Sequence, residues 1–195
     1  MKKLSLFLAA FALVGSLSAQ TIFNGYAYVS DTTAGTGSTW YNMSGSAQAN
    51  SLNLADLGNF STNLWLGGQT GFWSNGEGVA SVTMNYSITG DATASGSVSY
   101  GFQSYSAPDD QWGTDINGAN GSDLSVDLIA AHSLAAGDYN IAVWTVGVTN
   151  SVNSAFDSNG GGNYNATFTV VPEPGTYALI AGIFGMCYIG LRRRS

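Results

Sequence analysis

The chain has 195 residues, 45% apolar and only 9% charged, with 26 glycines and a formal net charge of −7. That length suits one folded domain with targeting segments, and the apolar share separates it from charge-rich disordered chains. All five basic residues (Lys2, Lys3, Arg192, Arg193, Arg194) stand at the two ends, so Leu4 to Leu191 holds all twelve acidic residues and no Lys or Arg. Nucleic-acid binding by that stretch is effectively excluded, because phosphate contacts rest on those cations.

Residues 1–19 read as an export signal. Lys2 and Lys3 give the positive start, Leu4 to Val14 an uncharged apolar run, and Gly15, Ser16, Leu17, Ser18 and Ala19 the small residues that signal peptidase accepts. Cleavage is expected after Ala19. The apolar run is far below the ~20 residues of a spanning helix, so a permanent N-terminal anchor is disfavoured. Removal leaves three basic against twelve acidic residues, a net charge of −9. The single cysteine, Cys187, leaves no internal disulfide for the exported part.

Residues 20–171 form one β-rich passenger, with Pro108 as the only proline before the tail. Shorter strand candidates come first, around Phe23–Val29, Thr39–Met43 and Leu64–Leu66. Ala80, Val82, Met84, Tyr86 and Ile88 then alternate with Ser81, Thr83, Asn85, Ser87 and Thr89, the pattern of a strand with one wet face. Thr89-Gly90-Asp91 supplies a turn, and the alternation resumes through Ala92, Ala94, Val98, Tyr100 and Phe102, predicting a hairpin. Further runs are Leu124/Val126/Leu128, then Tyr139/Ile141/Val143 with Val146 on the opposite face. Tyr164/Ala166/Phe168/Val170 runs straight into Pro172. Seven or eight short strands separated by Gly/Asn/Ser turns predict an all-β fold, an antiparallel β-sandwich of jelly-roll or immunoglobulin-like type. Leu134 to Val143 has the form of a Greek-key corner, with Tyr139 bonding back to nearby backbone. Gly/Asn-rich segments at Ala34–Ser38, Asn117–Ser122 and Asn159–Asn163 read as exposed loops.

No catalytic set stands out, and the passenger is read as non-enzymatic. His132 is the only histidine and is taken as a surface or turn residue: alone it cannot build a multi-histidine zinc site, and no nucleophile elbow accompanies it. A two-carboxylate glycosidase would draw on Glu77, Asp109, Asp110 and Asp115, although Asp is also a common turn former. The loop Asp115 to Asp123 alternates oxygen-bearing side chains with glycines, as calcium requires, but lacks the EF-hand register and a terminal Glu. No cofactor is otherwise implied. Of five tryptophans, Trp65 and Trp144 sit in apolar runs and read as core. Trp73 and Trp112 lie in polar loops and are the candidates for stacking on sugar rings.

The tail, residues 172–195, carries the most specific pattern. Pro172-Glu173-Pro174 is followed by an apolar run from Ala178 to Leu191 and then by Arg192, Arg193 and Arg194. The uncharged run from Gly175 spans about 25 Å as a helix, the short end for a transmembrane helix. Arginines stay cytoplasmic, which puts the passenger outside, in agreement with the export signal.

This order of motif, apolar helix and arginine cluster resembles the PEP-CTERM sorting signal of exported Gram-negative proteins. The resemblance is confined to residues 171–195. It implies recognition of Pro172, Glu173 and Pro174 by exosortase, a membrane-embedded protease with a cysteine nucleophile. It further implies a transient stay in the inner membrane with Arg192, Arg193 and Arg194 as stop-transfer, then delivery to the cell surface or extracellular matrix, often where exopolysaccharide is made. The resulting expectation is a structural or adhesive surface protein; a secreted carbohydrate-binding module is the alternative, and a glycosidase the third reading.

Overall fold

The structure, a computed structural model, describes residues 20–32, 38–43, 50–106, 109–114 and 124–192. Its elements in chain order are β1 (Thr21–Ser30), β2 (Thr39–Asn42), β3 (Ala55–Phe60), β4 (Trp65–Trp73), β5 (Val79–Gly90), β6 (Ala94–Ser99), β7 (Gly101–Ser106) and β8 (Asp109–Gly113). There follow β9 (Val126–Asp127), α1 (Leu128–His132), β10 (Gly137–Thr149), β11 (Ser154–Asp157), a 3-10 turn (Asn159–Gly161), β12 (Tyr164–Val170) and α2 (Pro174–Arg192). The described residues are all-β apart from the short α1, the 3-10 turn and the tail helix. Twelve strands among the described residues exceed the seven or eight expected, because the run through Val98 and Phe102 is split at Tyr100 and because β3, β8 and β11 form where no alternating run was predicted.

The strands form two sheets. The first has the order β2-β1-β4-β8-β7, with β9 also bonded to β4; the second has the order β3-β12-β10-β5-β6, with β11 also bonded to β10. Every pairing is antiparallel except β12 with β3. The centre of the second sheet is β5 against β10, in register from Tyr139↔Gly90 to Val148↔Ser81. Strict alternation is the cause. Val82, Met84, Tyr86 and Ile88 point inward with Tyr139, Ile141 and Val143, and all seven are buried. Ala80 departs from the pattern and is exposed.

The two sheets share one core. Ala27, Val29, Leu66 and Phe72 from the first pack in a single cluster with Met84, Ile88, Val143 and Phe168 from the second. The closest approaches use glycine. A Cβ on Gly147 would stand 2.9 Å from the Phe72 ring, and one on Gly68 would meet the Met84 methyl and the Tyr100 hydroxyl.

The predicted hairpin is present as β5–β6, paired from Thr83↔Ser99 to Ile88↔Ala94. Its second run does not continue as one strand. At buried Tyr100, whose N–H donates to Val82 O (2.9 Å), the chain leaves the second sheet, and β7 joins the first. The run expected over 124–128 is corrected more strongly, for only Val126 and Asp127 are strand and Leu128 opens α1. Asp127 causes the switch. Its Oδ1 accepts the Ile129 and Ala130 N–H groups as an N-cap, while Ser133 closes the helix in the left-handed region at φ 51°.

Tyr139 occupies its expected place, with its hydroxyl donating to Ala135 O (2.9 Å) just before β10. The Asn159–Asn163 segment is a turn that is largely exposed. Residues 1–19 (with Ala19), the glycine-rich 34–37, the segment Asp115–Asp123, Arg193 and Arg194 lie outside the described residues.

Candidate functional site

The tail leaves the sandwich abruptly. Val171 N–H donates to Phe60 O (2.8 Å), the last sheet-like bond, and Val171, Pro172 and exposed Glu173 then run without regular structure. Pro174 is not part of that extended approach: it is the first residue of α2, the position where a fixed φ and a missing N–H cost a helix nothing. The helix runs 19 residues to Arg192. Its described side chains from Ala178 to Met186 are all exposed, including Leu179 (66%) and Phe184 (69%), and Cys187 is exposed too. Among the described residues no helix is long and apolar enough to cross a membrane.

The tryptophans are redistributed by strand parity. Trp144 falls between inward Val143 and Thr145 on β10, so it faces outward and is half-buried; Trp65, beside inward Leu66, is half-buried as well. Neither belongs to the core. Trp112, expected on a polar loop, lies in β8, packs against the core and meets Phe102 edge-on, with ring centroids 5.7 Å apart. Its indole N–H is buried without a hydrogen-bond partner among the described residues. Trp73 ends β4 and is half-buried.

Of these carboxylates, Glu77 serves the scaffold. Glu77 accepts from the Thr149 hydroxyl (2.8 Å) and from the Asn153 amide (3.0 Å), and these bonds hold its carboxyl below the ordinary range. Asp110 lies on β8 opposite Phe72; the Asp109 side chain and Asp115 are outside the described residues. His132 ends α1, with Nε2 2.9 Å from the Tyr86 hydroxyl and its ring edge-on to that phenol. Among the described residues no group of three or more His, Cys, Asp or Glu side chains could hold a metal ion.

A different surface gathers polar and aromatic groups, the outer face of the first sheet. Ala27 and Val29 enter the core, so Tyr26 and Tyr28 of β1 point away from it. Register then sets their neighbours: Tyr28 pairs with Trp40 and Gly67, Tyr26 with Gln69, Phe23 with Gly71, and Gly71 with Gln111. The Tyr28 ring lies over Gly67 and the Phe23 ring over Gly71, where a Cβ would collide. Trp40 covers Tyr28 at 5.0 Å between ring centroids, and the Thr114 hydroxyl donates to the Tyr28 oxygen (3.2 Å). Tyr26 stays open, 38% exposed.

Two adjoining depressions mark this face, and a third lies beside them at the edge between the sheets. One of about 240 Å³ is lined by Tyr26, Trp40 and Gln69. The next, about 350 Å³, shares Tyr26 and Gln69 and adds Phe23, Asn24, Thr70, Gly71 and Gln111. A third of about 460 Å³ shares Phe23 and Asn24 and opens at the sandwich edge toward Asp157 and Tyr164. The second and third share Phe23 and Asn24 at a bulge in β1 between Phe23 and Tyr26, where Asn24 takes φ 49°. Burial raises the Asp157 carboxyl above its ordinary range, against the Tyr164 hydroxyl that donates to it (2.6 Å). None of these residues was singled out by composition; the alternation of Tyr26 and Tyr28 against Ala27 and Val29 was the available signal.

No family model matches the chain, and no curated protein matches it. The fold and its tail define a class: a two-sheet all-β domain followed by an apolar, outward-standing C-terminal helix.

Proposed function

We propose that this chain is an exported bacterial surface protein of the PEP-CTERM type, with a non-enzymatic, structural or adhesive passenger. In this reading signal peptidase cuts after Ala19, the tail is held at the inner membrane, and exosortase cuts near Pro172-Glu173-Pro174. The passenger then reaches the cell surface or the extracellular matrix.

One observation carries the reading. An apolar helix stands outside the folded domain with its described side chains exposed, joined to the last strand by three irregular residues that include Pro172 and Glu173. Apolar side chains that their own domain leaves uncovered need another apolar medium. The irregular segment leaves its backbone open to a protease groove. A helix of marginal apolarity suits a signal handed on to a membrane protease better than a permanent anchor. Arg192 closes that helix on the side where positive charge stays cytoplasmic.

The finer fold assignment belongs to the same proposal. The passenger is taken as a Greek-key sandwich, jelly-roll or immunoglobulin-like, and the Tyr139 to Ala135 bond supports the tyrosine-corner part of that reading. The decisive experiment replaces Pro172, Glu173 and Pro174 with alanines in a host that has exosortase. Accumulation of uncleaved chain in the membrane fraction is the expected result.

A further inference from the structure

We propose that the outer face of the first sheet is a binding site for a neutral polysaccharide, held along the successive depressions from Tyr26 and Trp40 to Asn24. This goes beyond tail processing and does not depend on it.

The chemistry of the face selects the ligand. Tyr26 offers an open ring beside half-buried Trp40, and the C–H faces of a pyranose pack on such rings. Gln69 and Gln111 flank the rings with side-chain amides, each with donors and an acceptor suited to neighbouring hydroxyls on a sugar. Planar rings beside a few directing polar groups are the usual make-up of a small-molecule site, and depressions of about 240 to 460 Å³ fall near the size range of such sites.

Charge narrows the class. No Lys or Arg exists between Leu4 and Leu191, so the face holds no permanent cation, and Asp157 lies at one end of the depressions. An anionic polymer such as a uronate or a nucleic acid is repelled by an acidic passenger, whereas a neutral chain is not. Successive depressions share Tyr26 with Gln69, then Phe23 with Asn24, which describes an open trough rather than a closed pocket. A trough accepts the interior of a long chain. Affinity should therefore climb with oligosaccharide length up to about three sugar units and then level off.

The face is also built to keep its shape. Gly67 and Gly71 leave room for the Tyr28 and Phe23 rings to lie against the sheet, and Thr114 fixes the Tyr28 hydroxyl. Rings already ordered lose little entropy when a ligand arrives.

The test is affinity electrophoresis of the full chain in mild detergent, through gels containing soluble β-glucan, xylan, galactomannan or dextran, with alginate as the anionic comparison. At least one neutral polymer should retard the protein and alginate should not. Tyr26→Ala and Gln69→Ala should each weaken that retardation about tenfold in Kd, the loss of a ring contact or a paired amide. Phe156→Ser, 64% exposed on β11 of the other sheet, should behave as wild type. Melting curves verify the fold, and Gln111→Ala, on a separate strand, replaces any variant that does not fold. Absence of retardation by every neutral polymer overturns the proposal. So does equal retardation by alginate, or wild-type retardation in the Tyr26, Gln69 and Gln111 variants.

Discussion

Asp127 is the residue on which the strand-to-helix switch depends, and the structure separates what its two oxygens do. The side chain is 8% exposed. Oδ1 accepts the backbone N–H groups of Leu64 (3.1 Å), Ile129 (3.1 Å) and Ala130 (3.3 Å), while Oδ2, among the described residues, accepts from the Asn63 amide. Asp127→Ala removes the cap of α1, about 1 kcal/mol, and strands the buried Leu64 N–H, which had a charged acceptor worth about 1.5–3 kcal/mol. Losing the Asn63 bond adds less, because that amide can turn to water. The total is about 3–4 kcal/mol. Asp127→Asn keeps an oxygen at the Oδ1 position and sets its amide against that of Asn63, which costs about 1–1.5 kcal/mol. At about 2–4 °C per kcal/mol for a domain of this size, alanine should lower Tm by roughly 6–16 °C and asparagine by roughly 2–6 °C. Thermal unfolding of the full chain, followed by circular dichroism, measures both. Equal losses in the two variants, or an alanine loss below about 2 °C, would refute the division of labour between the oxygens.

Three further outcomes are expected. Tyr139→Phe deletes only the hydroxyl that donates to Ala135 O and should cost about 1 kcal/mol in denaturant unfolding; no loss would remove the corner's structural role. The two shifted carboxylates should tilt stability with pH in opposite senses. Glu77, lowered by its bonds to Asn153 and Thr149, stabilises above its unfolded pKa, and this is lost as pH falls through the lower folded value, so Glu77→Gln should flatten the acid limb of a Tm–pH profile. Asp157, raised by burial, contributes fully below its unfolded pKa and loses that contribution as pH rises through the raised folded value; Asp157→Asn should melt higher relative to wild type at pH 7 than at pH 3. Cleavage ahead of Glu173 leaves eleven of the twelve acidic residues with no Lys or Arg, so Tm should rise modestly from low to moderate sodium chloride; a fall contradicts that reading.

Alternation along a strand is a local signal, and where it was strict it located both strand and core. Val82 to Ile88 and Tyr139 to Val143 are the clearest cases. Parity would also have turned Trp144 outward, had it been set above the apolar character of its neighbours. Periodicity does not tell which sheet a strand joins: Val98, Tyr100 and Phe102 keep one alternation although the chain changes sheets at Tyr100. Leu124, Val126 and Leu128 look equally regular, yet one carboxylate with four donors outweighs the pattern and starts a helix. The face around Tyr26, Trp40, Gln69 and Gln111 was hidden for a related reason. Its residues come from four strands, and only the pairing register brings them together. Trp112 looked exposed because its sequence neighbours are polar, while its cross-strand partner is Phe102.

The central claim is that the tail is a signal to be removed and not a lasting part of the molecule. The most direct measurement is mass spectrometry of the protein recovered from the surface or medium of a host that has exosortase. The account predicts a chain that starts at Gln20, ends near Pro172-Glu173-Pro174, and yields no peptide from Ala178 to Leu191. A surface protein that still carries that helix and Arg192 would contradict it.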